Sequence, residues 1–262
     1  MPNFARRLSD QIGLYRWLRC SRYYEYWAKI KRPEFAKEVA NDRRFFTTLF
    51  REQSIQQVFD VGANIGDKTK LFAELGCRIV CVEADPAMAK WLAYRFSKCL
   101  NVIVEDVAVG GESGVARMFR KKFSGFNTLS EKWSHSVSQL GVANQDEIEV
   151  SMTTLEHLIN RHGLPDYVKI DVEGYELPTI RGLSRPVRVL SFEANVPTFL
   201  AETRQIVERL NEFPRGVVFN YRFPDEPTFR LPHSISPQQL MLDLERLGPA
   251  TCDVFAFRRS SS

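Results

Sequence analysis

The 262-residue sequence lacks several patterns that mark common classes of protein. No run approaches the roughly 18–20 uncharged apolar residues that cross a membrane. The arginine-containing N-terminus has no continuous apolar segment of the kind found in signal peptides. The five cysteines are odd in number and include no CxxC pair. We therefore expect neither zinc nor a disulfide framework, and a reducing, cytoplasmic location.

Two nucleotide-binding signatures are also missing. The glycine-rich segment reads Gly62-Ala63-Asn64-Ile65-Gly66, which is not G-x-G-x-x-G, and no Gly-Lys-Ser or Gly-Lys-Thr follows it. These absences argue against NAD and ATP. The loops at the predicted strand ends also lack a basic patch with interleaved aromatic residues, so we expect no nucleic-acid partner.

What the sequence does contain begins with a basic N-terminal region. Residues 1–50 hold eleven Lys or Arg against five Asp or Glu, and their apolar residues recur at helical spacing with a break at Pro33. We predict a helical extension over residues 1–52 and a main domain over residues 53–262. The extension either packs on the main domain with its arginines in solvent, or contacts a membrane surface or an acidic partner.

The main domain alternates strand and helix patterns. The strand segments are "QVFDVGA", "RIVCVEADP", "NVIVEDVAVG", "DYVKIDVEG" and "VRVLSFEAN", and "GVVFNYRF" and "CDVFAFRR" resemble a closing antiparallel pair. This order predicts an α/β fold with a parallel sheet built from βαβ units. We expect residues 110–147 to be an irregular segment that covers a site. The segment "EIEVSMTTLEHLINRHG" should supply an edge strand and a helix that begins at Thr153 or Thr154.

The first strand-to-helix turn, "VFDVGANIGDKT", has the features of a ligand-binding turn. Gly62 and Gly66 let the backbone approach a ligand that a Cβ atom would block, and the next helix presents free N–H groups there. Asp60 would repel a pyrophosphate but suits an ammonium or sulfonium group. Glu83, at the end of the second strand, is placed to accept ribose hydroxyls. Asp106, at the end of the third strand beside Glu105, is a candidate partner for an adenine amino group.

Together with "VCVEADP", "VSMTTLEHLI" and "VKIDVEGYELPTIRG", this turn resembles the FkbM family of S-adenosylmethionine (SAM)-dependent methyltransferases. The resemblance runs from about Val58 to about Asn195 and more weakly to Arg258. It implies a Rossmann-like fold with a seven-stranded, mostly parallel sheet whose last strand is antiparallel. It also implies SAM as cofactor and, as acceptor, a hydroxyl of a sugar, polyketide or other small metabolite. The cofactor-binding residues would be Asp60, Gly62, Ala63, Asn64, Gly66, Glu83 and Asp106.

The segment "VKIDVEGYE" places charges where a buried strand should be apolar. Val168 and Ile170 obey the expected pattern, whereas Lys169, Asp171 and Glu173 alternate with them. Because side chains two apart in a strand share a face, these three can converge at the carboxyl end of the sheet. The segment is therefore the predicted chemical edge of the cofactor pocket.

Asp171 is the first candidate for the catalytic group, since a carboxylate can orient an acceptor hydroxyl and take its proton. Lys169, Glu173 and Glu193 are candidates to support it. Glu173 and Glu176 have an alternative role, which is to accept hydrogen bonds from backbone N–H groups at the following turn. A second arrangement would place Mg²⁺ between Asp171 and another acid.

Two other functional classes remain open from the sequence. The first is methylation of nitrogen or of RNA, although no motif resembling N-P-P-Y is present. The second is a non-catalytic, cofactor-binding or membrane-docked scaffold of the same fold, which the intact glycine turn and Glu83 argue against. The acceptor and the oligomeric state do not follow from the sequence, because a fold does not determine a substrate.

Overall fold

A seven-stranded sheet forms the centre of the computed structural model, which describes residues 33–224 and 226–259. The strand order is β3-β2-β1-β7-β8-β10-β9, with β1 (Gln57–Val61), β2 (Arg78–Glu83), β3 (Val102–Asp106), β7 (Tyr167–Ile170), β8 (Val189–Val196), β9 (Val217–Arg222) and β10 (Ala250–Arg258). The first five strands of this order are parallel, and β10 runs antiparallel to both β8 and β9. The predicted fold class is confirmed. The strand order reverses beside β1, where open α/β sheets bind ligands.

Helices cover both faces of this sheet. They are α1 (Pro33–Glu52), α2 (Asp67–Glu74), α3 (Pro86–Arg95), α5 (Leu155–His162), α6 (Glu176–Arg181), α7 (Leu200–Asn211) and α8 (Pro237–Arg246). The side chains of α5, α7 and α8 pack on the sheet face that carries Val168 and Ile170, whereas those of α1, α2 and α3 pack on the face that carries Tyr167. This division follows the alternation of side chains along a strand.

The helix α1 packs directly on the sheet. Phe45, Phe46, Leu49 and Phe50 lie on one helical face and are buried against α2 and the strands. Residues 1–32 are outside the described residues, so the helices predicted there and the boundary at residue 52 stay predictions. Within the described chain, no helix has both the length and the apolar character that a membrane span needs.

The segment between the third strand and α5 is more regular than the sequence indicated. It contains β4 (Ala108–Val109), β5 (Gly114–Lys121), a 3₁₀ turn (Ser124–Phe126), α4 (Glu131–Gln139) and β6 (Asn144–Thr153). The prediction of an irregular segment over residues 110–147 was therefore wrong. The polar outer faces of β5 and β6 hid the strand pattern, because these strands form a small separate sheet with one exposed face.

The strand β6 was also placed incorrectly from the sequence. It lies in the middle of the three-stranded sheet β4-β6-β5 rather than at an edge of the main sheet. The following helix begins as expected, since the Thr154 hydroxyl caps α5 by accepting from the His157 N–H. We refer to residues 110–153 as the insert.

Candidate functional site

A cavity lies at the carboxyl ends of β1, β2 and β7, where the strand order reverses. Gly62, Glu83 and Asp171 contribute to its floor, and the insert contributes further walls that include Met118, Ser124, Asn127 and Leu129. It holds about 610 Å³ of empty space, a volume that includes space open to solvent. The cavity therefore has the position of a cofactor pocket.

Gly62 makes the floor of this cavity close-packed. Its φ is +81°, and a Cβ atom added there would lie 1.8 Å from the backbone oxygen of Asp171. The Asp171 N–H donates to the Val61 carbonyl at 3.0 Å, so the turn after β1 lies directly against the end of β7. Only glycine allows this approach, and the approach brings the predicted cofactor turn and the predicted catalytic strand into one cavity.

Glu83 is held at the end of β2 by two backbone donors. Its Oε2 accepts from the Asn64 N–H at 2.7 Å and its Oε1 from the Asp85 N–H at 2.8 Å. Burial raises the pKa of this carboxyl to about 7, although both N–H groups favour the charged form. Each carboxylate oxygen has a second lone pair, so the group can still accept ribose hydroxyls.

The remaining residues predicted to bind the cofactor fall into two groups. Asn64 lines the cavity, and its side-chain Oδ1 accepts from the Ser124 hydroxyl at 3.0 Å. Asp60, Ala63, Gly66 and Asp106 are described but are not among the residues that line the cavity. A Cβ atom at Gly66 would lie 2.6 Å from the Leu92 side chain, so that glycine permits helix packing.

Asp60 lies beneath the cavity rather than on its surface. It is fully buried, and its Oδ2 accepts from the Thr69 hydroxyl at 2.6 Å. Its Oδ1 has no hydrogen-bond partner and lies 3.9 Å from the Lys169 Nζ. Burial is the main cause that raises the pKa of Asp60, and the Lys169 charge opposes that rise.

Lys169 links Asp60 to Asp171. The Lys169 Nζ donates to the Asp171 Oδ2 at 2.7 Å, and the Lys169 side chain is only 9% exposed. Burial alone would lower the pKa of this ammonium group, but the two carboxylates outweigh burial and raise it. Lys169 therefore keeps its charge and fixes one carboxylate oxygen of Asp171, a residue that lines the cavity.

Glu173 and Glu193 are carboxyls that favour the neutral form. Burial, followed by the Asp171 charge, raises the pKa of Glu173 to about 10 and that of Glu193 to about 8. Glu173 lines the cavity, and Glu193 lies on β8, where its Oε1 accepts from the Asn195 Nδ2 at 2.8 Å. A carboxyl that stays protonated at neutral pH can donate a hydrogen bond, but it cannot accept a proton.

The backbone N–H groups at the turn after β7 are satisfied by Glu176 and not by Glu173. The Oε1 atom of Glu176 accepts from the Val172 and Gly174 N–H groups, each at 3.2 Å. The structural role that the sequence left open for both acids therefore belongs to Glu176. Glu173 has a φ of +53°, which allows its side chain to line the cavity.

The insert supplies residues that the sequence did not single out as site residues. Met118 and Leu129 contribute apolar wall. Because they lie far along the chain from Gly62 and Asp171, they left no local signal in the sequence. The expectation that residues 110–147 cover a site agrees with the cavity wall, where Asn127 lies. The Ser130 hydroxyl caps α4 by accepting from the Trp133 N–H.

A metal ion is not supported by this geometry. Among the residues that the structure describes, no group of three or more His, Cys, Asp or Glu side chains has an arrangement that could hold one. Lys169 occupies one oxygen of Asp171 and compensates its charge. The predicted alternative of Mg²⁺ between Asp171 and a second acid therefore finds no support.

The protonation of Glu173 predicts how stability changes with pH. Since the pKa of Glu173 is raised from 4.5 in the ordinary state to about 10, the folded protein holds this proton more tightly than the unfolded chain. The contribution of this proton to the stability of the fold is complete below about pH 4.5 and is lost as the pH rises towards 10. The glutamine of Glu173→Gln resembles the neutral acid and does not titrate. When the pH rises, we therefore expect this variant to lose less stability than the wild type.

Urea unfolding at about pH 6 and about pH 9 measures this effect, and each bound proton changes stability by about 1.4 kcal/mol per pH unit at most. Between these two pH values, we expect the free energy of unfolding of Glu173→Gln to fall by at least about 1 kcal/mol less than that of the wild type. Glu147→Gln, on the exposed side of β6, is the matched control and should follow the wild type. Parallel curves for Glu173→Gln and wild type would show that Glu173 is ionised in the folded protein.

Comparison with known proteins identifies a family. The methyltransferase FkbM domain matches residues 60–214. The comparison with curated proteins gave no match. Among solved structures, the chain is similar to a putative O-methyltransferase from Klebsiella pneumoniae, with 12% identity, a TM-score of 0.44, and coverage of 90% of this chain and 95% of that one. It is also similar to an O-methyltransferase from Bacillus cereus in complex with SAH, with 14% identity, a TM-score of 0.43, and coverage of 82% and 80%. The family assignment does not depend on these distant similarities.

Proposed function

Because the chain belongs to the FkbM methyltransferase domain family, and is thus a SAM-dependent methyltransferase, we propose that it methylates a hydroxyl group of a small molecule. The observation that carries this proposal is the position of Asp171. Asp171 lines the cavity, and Lys169 holds one oxygen of its carboxylate. An acceptor hydroxyl must lose a proton during methyl transfer, and an ionised carboxylate within hydrogen-bond reach can accept that proton.

The cavity has the groups that SAM needs. The Glu83 carboxylate would accept the ribose hydroxyls, and the apolar walls at Val107 and Met118 would contact the adenine ring. The carboxylates beside Gly62 would attract the positively charged ammonium and sulfonium groups in the methionine part of SAM. When bound, SAM supplies the electrophilic methyl carbon.

The protein's own groups then have separate roles in the proposed reaction. Asp171 orients the acceptor hydroxyl and takes its proton, and Lys169 holds Asp171 in place through the hydrogen bond to its Oδ2 atom. Glu173, in its neutral form, donates a hydrogen bond to a second oxygen of the acceptor. Positioning of this kind can supply a large part of a methyl-transfer barrier, about 7–11 kcal/mol. Glu193 restrains the arrangement from the neighbouring strand.

An assay with methyl-labelled SAM tests the proposal directly. The protein is incubated with a panel of small molecules that carry hydroxyl groups, amino groups or both, and with RNA. We expect label on oxygen, with the site determined by NMR of the product. Label found only on nitrogen or only on RNA would contradict the proposal that the acceptor is a hydroxyl group of a small molecule.

A further inference from the structure

A short part of the insert contributes to the lining of the cavity. We call residues 122–127 the strap. Ser124, Gly125 and Asn127 of the strap line the cavity, and so do Gly62 and Glu83. The strap thus forms part of the wall against which the proposed cofactor would lie.

The strap has a fixed end and polar tethers. Thr128, which follows it, is 1% exposed and forms a backbone bridge with Phe119 of β5, and its hydroxyl donates to the Glu173 carbonyl at 2.6 Å. Within the strap, the Ser124 hydroxyl donates to the Asn64 Oδ1 at 3.0 Å. The Asn127 Nδ2 donates to the Asp85 Oδ2 at 3.0 Å.

Both tethers end on residues that hold Glu83. The backbone N–H groups of Asn64 and Asp85 donate to the two oxygens of the Glu83 carboxylate. The Asn127 tether is charge-assisted where Asp85 is ionised, and such hydrogen bonds are the stronger kind. Closure of the strap is therefore coupled to the geometry of the proposed ribose-binding carboxylate.

Little apolar burial holds the strap in place. Its two phenylalanines, Phe123 and Phe126, are 55% and 36% exposed. A segment with few buried apolar contacts opens locally at low cost, because only a few hydrogen bonds must be exchanged for bonds to water. The two side-chain tethers are then the main contacts between the strap and the floor of the cavity.

From these contacts we propose that the strap is a gate for the cofactor, and that Ser124 and Asn127 are positioning residues that set how fast the cofactor leaves. The strap closes over the cofactor when both tethers form and opens for exchange when they break. This inference rests on the cofactor site proposed above. It does not depend on the acceptor or on the role of Asp171.

The dissociation rate of S-adenosylhomocysteine (SAH) tests the gate. Full-length protein is loaded with labelled SAH and chased with excess unlabelled SAH. We expect Ser124→Ala and Asn127→Ala each to speed dissociation, and the double variant to speed it about tenfold, equivalent to about 1.4 kcal/mol. Ser136→Ala is the control, because the Ser136 hydroxyl bonds only to the Lys132 carbonyl within α4.

Thermal unfolding separates gating from loss of structure. We expect the unfolding temperature of Ser124→Ala to equal that of the wild type, since its hydroxyl has a single side-chain partner. If Asn127→Ala lowers the unfolding temperature, the rate for Ser124→Ala alone decides. Dissociation within about twofold of wild type in the folded variants would overturn the gate. Absence of SAH binding by the wild type would remove the cofactor site itself, whereas missing methyl transfer with intact SAH exchange would affect only the proposed chemistry.

Discussion

Asp171→Asn is expected to lower the rate of methyl transfer by about 10²–10⁴-fold, the usual contribution of a positioned general base. The asparagine side chain has the same shape and can still accept the hydrogen bond from Lys169. It cannot accept a proton from the acceptor at neutral pH. Initial rates with a hydroxyl acceptor and methyl-labelled SAM measure the loss.

Asp146→Asn is a suitable control for this substitution. Asp146 is exposed on β6, where it lies 3.4 Å from Arg120, and it does not line the cavity. We expect this variant to keep the wild-type rate. A wild-type rate in Asp171→Asn would end the assignment of Asp171 as the base.

Lys169→Met is expected to destabilise the protein by about 2–4 kcal/mol. Removal of one partner from a buried ion pair costs about 3–5 kcal/mol, but the Asp171 side chain is 37% exposed and water compensates part of that cost. Asp60 also loses its nearest cation, and its Oδ1 already lacks a hydrogen-bond partner. Methionine keeps the length of the side chain, so the loss reports on charge rather than on packing.

Urea unfolding of Lys169→Met at neutral pH measures this loss. Lys90→Met is the control, since Lys90 is exposed on α3, and we expect it to unfold with the wild type. Equal stability of Lys169→Met and wild type would mean that the carboxylates beneath the cavity do not depend on this cation. Asp171 would then need another group to hold it.

The main sheet could be predicted from the sequence because its signals are local. The strands with Val58, Ile79 and Val168 are short apolar runs, each bounded by polar residues and followed by a helix pattern. The antiparallel last strand came from the family resemblance, since β10 enters between β8 and β9 and no local pattern indicates that position. The strands of the insert were missed because their exposed faces carry charged residues such as Arg117 and Glu149.

The site could be predicted only in part, for a related reason. The position of Asp171 at the cavity follows from strand alternation and from its place at a strand end. The full burial of Asp60 and the raised pKa of Glu173 do not follow from the sequence. Both depend on which side chains lie nearby in three dimensions. Glu176, and not Glu173, bonds the backbone of the turn, and sequence spacing alone cannot distinguish these two acids.

The central claim is that Asp171 acts in the chemical step and not in holding the cofactor. Titration calorimetry with SAH and a single-turnover assay, both on the same preparation of Asp171→Asn, test it most directly. The account predicts an SAH affinity within about threefold of wild type and a transfer rate at least about a hundredfold lower. An affinity that falls as far as the rate, or a rate that does not fall, would contradict the account.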